Sequence, residues 1–63
     1  MPPPGLIDAE ELIRYLRERG FDGPEEHEGK QFMTRDNDVV HVPNPHMTKE
    51  YYEAIIENLG LEL

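Results

Sequence analysis

GKQFMTRDNDVVHVP, Gly29–Pro43, is the stretch whose reading decides the fold. Two short runs of β-favouring residues, Gln31 to Arg35 and Val39 to Val42, flank Asp36, Asn37 and Asp38, residue types that suit a tight turn with one position at positive φ. With those three residues as the loop, Phe32, Thr34, Val40 and Val42 share one face of a hairpin, which reads as the core face. Gln31, Met33, Arg35, Val39 and His41 then share the other, mostly polar face. Pro43 and Pro45 stop the second strand, because proline donates no ladder hydrogen bond. Upstream, Asp22 to Gly29 is broken by Gly23 and Pro24 and carries Glu25, Glu26 and Glu28, which allows at most a short edge strand.

A helix is expected on each side of this β-region. Asp8 is a good N-cap, with Glu11 three residues on to complete a capping box and Ile7 and Leu12 placed as a hydrophobic staple. Ala9, Leu12, Ile13 and Leu16 fall on one face, and Gly20 followed by Phe21 suits a Schellman end, so the first helix runs from about Ala9 to Arg19. Thr48 caps the second, Met47 and Tyr52 form its staple, and Tyr52, Ile55, Ile56 and Leu59 trace its apolar face. Gly60 ends it, with Leu61 placed to touch Ile56. The economical packing is an α+β domain, α-β-β-β-α, with two helices packed on one face of a small antiparallel sheet. Without the weak first strand it becomes α-β-β-α. Residues 1–6 read as a Pro-rich tail and residues 7–63 as one domain.

Composition narrows the function classes. Sixty-three residues make one domain, and a chain this short buries only ~60% of the surface it exposes unfolded. It has no cysteine and hence no disulfide framework. The opening MPPPG lacks the basic start and apolar run of a secretory signal, and no run spans a bilayer, so a cytoplasmic protein with no membrane partner is expected. Fourteen acids against six Lys and Arg give a net charge of -8. Such a surface repels phosphate, and it fits either simple solubility or a high-salt environment.

Four ordered stretches carry a family resemblance: ELIRYLRERGF (Glu11 to Phe21), EGKQFM (Glu28 to Met33), VVHVP (Val39 to Pro43) and IIENLGL (Ile55 to Leu61). Together they cover nearly the whole chain after Gly5, and their order resembles the HicA-type mRNA interferase toxins, RNases of toxin-antitoxin systems with a fold like the double-stranded RNA-binding domain. The resemblance implies RNA or an antitoxin-like protein as partner, and an endoribonuclease whose catalytic histidine enters the second strand after a Gly-Ser-His-like triplet. Here that place reads Glu28, Gly29, Lys30. Cleavage by 2′-OH attack needs a group that exchanges protons near neutral pH; histidine does so unaided, whereas lysine, at about 10.4, does so only when strongly desolvated. The chain therefore reads as a divergent member with a degenerate site that binds without cleaving. A weak RNase using His27 or Lys30 is the enzyme alternative, and an acidic homodimer is the interaction alternative.

The residues expected at an RNA or partner surface are Arg14, Arg17, Arg35, His41 and Tyr51: the open hairpin face joined to the arginines of the first helix, with Lys30 and Arg35 at the rim. Competing readings treat the arginines as solvated partners of Glu10 and Glu18, and Tyr52, by its helical phase, as core. His27, His41 and His46 lack any compact zinc spacing, so no metal and no cofactor are expected.

Overall fold

The computed structural model describes residues 4–60. Along the chain run β1 (Leu6–Asp8), α1 (Ala9–Glu18), β2 (Asp22–His27), β3 (Lys30–Arg35), β4 (Asp38–Val42), β5 (His46–Thr48) and α2 (Lys49–Asn58). Both helices start as their caps dictate: the Asp8 carboxylate accepts from the Glu10 amide at 3.3 Å, and the Thr48 hydroxyl accepts from the Tyr51 amide at 3.1 Å. At the end of α1 the amides of Gly20 and Phe21 donate to the carbonyls of Arg17 and Leu16, the paired bonds of a Schellman motif. Gly20 holds φ +90 there, a conformation that a side chain resists. The expected contact of Leu61 lies outside the described residues.

β2, β3 and β4 form an antiparallel sheet in that order, and β1 pairs with β5 as a separate two-stranded ribbon. The ribbon was not anticipated, and it claims Leu6 for the folded domain rather than for the tail. Its strands are three residues each, too short for alternation to register in the sequence. Both helices cover one side of the three-stranded sheet. Leu12 and Leu16 of α1 are fully buried with Met33, Val40 and Val42, and α2 rests on this cluster through Tyr51, Tyr52, Ile55 and Leu59. Each buried leucine contributes roughly 1.5–3 kcal/mol.

The hairpin turn overturns one expectation. Arg35 pairs with Asp38, so the loop is Asp36 and Asn37 alone, with Asp36 at φ +52. Asp38 belongs to β4. Shortening the loop by one residue slides the register by one, and every β3 side chain changes face. Met33, expected on the polar face, is at the centre of the core; Phe32 and Thr34, expected in the core, lie on the open face with Val39 and His41. The two faces of β4 are as expected.

β2 is a full six-residue edge strand with an irregularity between Asp22 and Glu25. Gly23 makes it possible: at φ +117, a Cβ there would sit 2.9 Å from the Phe32 carbonyl.

Candidate functional site

The face of the sheet turned away from the helices is the candidate site. Strand alternation and the registers place His27 opposite Lys30, Glu25 opposite Phe32, and Phe32 opposite His41, all on this side. The Phe32 ring stands between two imidazoles: its centroid is 6.1 Å from that of His27 and 5.4 Å from that of His41, with tilted planes. Thr34 and Val39 continue the face, and Val39 is 67% exposed. A cleft of about 270 Å³ opens at the Lys30 end, bordered by Lys30, Gln31, His41 and Asn44. Gln31 itself alternates to the inner face with Met33, where its Oε1 is buried without a hydrogen-bond partner.

This arrangement does not assemble an acid–base pair around one phosphate. His27 and His41 stand on strands two spacings apart, ~10 Å, and the Phe32 ring fills the gap between them. Lys30 and His27 are both exposed, on a strand pair bordered by Glu25, Glu26 and Glu28. What the face offers is an apolar and aromatic centre with an acidic margin.

The composite surface expected from the sequence is not formed. Arg14 and Arg17 are exposed on α1, in the helical layer on the far side of the sheet from Phe32. There they line a depression with Glu10, Ile13 and Glu18, and Arg17 Nε donates to the Gly23 carbonyl at 3.0 Å. Arg35 turns towards the helices as well. Its guanidinium donates to the Arg19 carbonyl at 2.9 Å, lies 4.6 Å from the centre of the Phe21 ring and approaches Asp38 at 3.6 Å, so it secures the end of α1. It is a structural residue rather than a rim. His41 alone of the expected binding residues lies on the open face. His46 pairs with Asp8 in the β1–β5 ribbon, so the three histidines do not converge.

Tyr51, expected to reach outwards to a partner, instead packs half-buried against the core and donates its hydroxyl to the His41 carbonyl at 2.7 Å. Tyr52 meets Tyr15 edge-on at 6.2 Å. Burial raises both phenols above their usual range, and for Tyr52 the charge of Glu11 adds to the effect. A phenol that binds its proton more tightly in the folded state contributes stability below its unfolded value, about 10, and that contribution is lost as pH rises through the folded value. Thermal melts from pH 8 upwards are therefore expected to fall in the alkaline range, and Tyr51→Phe to make the fall shallower.

Phe32 is the central residue that sequence reasoning missed. Its signal was the turn: reading Asp36-Asn37 as a two-residue loop puts it outside. No helix among the described residues is long and apolar enough to cross a membrane. No family model matches the chain, and no curated protein or solved structure shows significant similarity to it.

Proposed function

We propose that the chain is a HicA-like domain of toxin-antitoxin type whose degenerate site binds without cleaving, and that its open sheet face docks an antitoxin-like protein with an apolar centre and a basic rim. The observation that carries this reading is the ring row of His27, Phe32 and His41 beside exposed Val39, facing away from the core. Aromatic side chains are enriched at the centres of protein interfaces, and rim charges of opposite sign steer association. A chain of net charge -8 is suited to a basic partner. A second reading has one specific observation in its favour: the same rings, with Lys30 beside them, make a stacking platform for single-stranded RNA. The face carries Asp22 and Glu25 against Lys30, so RNA binding on it calls for screening salt.

Titrating the isotope-labelled domain with the protein encoded by the adjacent reading frame, and separately with single-stranded RNA, separates these readings. Amide shifts at Phe32, Val39 and His41 with the protein are expected. Shifts there with RNA alone transfer the face to the second reading, and shifts confined to α1 remove both.

A further inference from the structure

β4 is an edge strand, and its two-residue turn determines which main-chain groups it shows. The short loop makes Arg35 and Asp38 a hydrogen-bonded pair, so Val40 and Val42 also bond to β3 while Val39 and His41 turn their N–H and C=O groups outwards. The Tyr51 hydroxyl sits on one of those outward groups, the His41 carbonyl. The helix that carries it has one buried residue among those described, Ile56, and otherwise rests on the core through half-buried Tyr51, Tyr52 and Ile55.

The two edges of the sheet are protected differently. On β2, Pro24 has no N–H to offer, and Glu25, Glu26 and Glu28 line the edge with like charge. β4, Asp38-Val39-Val40-His41-Val42, has a single acid and the exposed Val39. It is a strand fit to pair with its own copy. Antiparallel pairing centred on Val40 sets each Val39 against His41 of the second copy, where the residues exchange both main-chain bonds, and places Asp38 opposite Val42 rather than opposite another acid. Those bonds need the His41 carbonyl, which Tyr51 now occupies.

We propose that α2 is a latch, closed by the Tyr51 hydroxyl on the His41 carbonyl, which keeps β4 from pairing with β4 of a second copy of the chain. Closed, the domain is a monomer with its open face free. Open, it becomes a dimer with a continuous six-stranded sheet, three strands from each copy.

Sedimentation up to millimolar concentration, with amide exchange by NMR, tests this on the full chain. The wild type is expected to be monomeric. Tyr51→Ala is expected to dimerise and to gain protection at the Val39 and His41 amides, and adding Val39→Pro to return it to monomer, since that N–H points away from β3. A folded Tyr51→Ala that stays monomeric, or a dimer whose Val39 and His41 amides exchange freely, overturns the latch, as does a wild type already paired through β4. Should Tyr51→Ala lose its helical signal, Tyr51→Phe decides by the same readouts: it keeps the ring, and losing one hydrogen bond is expected to tighten association roughly tenfold. Association unchanged from the wild type overturns the proposal.

Discussion

Met33→Asp is expected to unfold the domain, and Phe32→Asp to leave it folded. The two residues are neighbours in β3, yet Met33 is fully buried among Leu12, Leu16 and Val40, while Phe32 stands on the open side of the sheet. No charged side chain is buried among the described residues, so a carboxylate at Met33 finds no partner. An unpaired charge in a core costs several kcal/mol, on the order of 3–5, which is comparable to the whole stability of a domain this small. Far-UV circular dichroism of Met33→Asp should therefore lack the helical signal at room temperature. At Phe32 the aspartate meets solvent, and the melting temperature should move by no more than a few degrees. The reverse outcome would restore the three-residue loop and put Phe32 in the core.

Phe32→Ala is expected to weaken partner binding about 30-fold or more, the ~2–4 kcal/mol typical of an aromatic anchor at the centre of an interface. Its ring is the middle member of the row, with His27 on one side and His41 on the other, so its loss also leaves both imidazoles without their neighbour. Val39→Ala should cost less, about tenfold, as a smaller apolar contact. Arg14→Ala and Arg17→Ala should leave affinity unchanged, because α1 lies in the layer behind the sheet. Calorimetry with the adjacent-frame protein checks this order. Equal losses at Arg14 and Phe32 would move the interface to the helices.

What was legible in the sequence was local. Asp8, Thr48, Gly20 and Gly60 mark helix ends whose hydrogen bonds are made within a few residues, and these bounds were read to within a residue. The α+β arrangement followed from the apolar faces of those helices and the need to bury them on a sheet. Register was harder. Asp36, Asn37 and Asp38 are all good turn residues, and the choice between a two- and a three-residue loop rests on whether Asp36 adopts positive φ, which no pattern in the flanking strands reports. That single ambiguity exchanged Met33 for Phe32. The expected surface came apart for a second reason: Arg35 follows Met33 to the inner face and turns to Arg19 and Phe21, so the hairpin meets the end of α1 on the helix side of the sheet rather than across its open face. Tyr51 was misplaced because only the fold reveals that the edge of β4 has an outward carbonyl within its reach.

The claim on which the account stands is that the open face binds and does not cut. The direct measurement is incubation of the purified chain with end-labelled single-stranded RNA at neutral pH, resolved on a denaturing gel. The account predicts intact RNA for the wild type, for Lys30→Ala and for His27→Ala alike. Fragments ending in 2′,3′-cyclic phosphate that vanish with either substitution would contradict it.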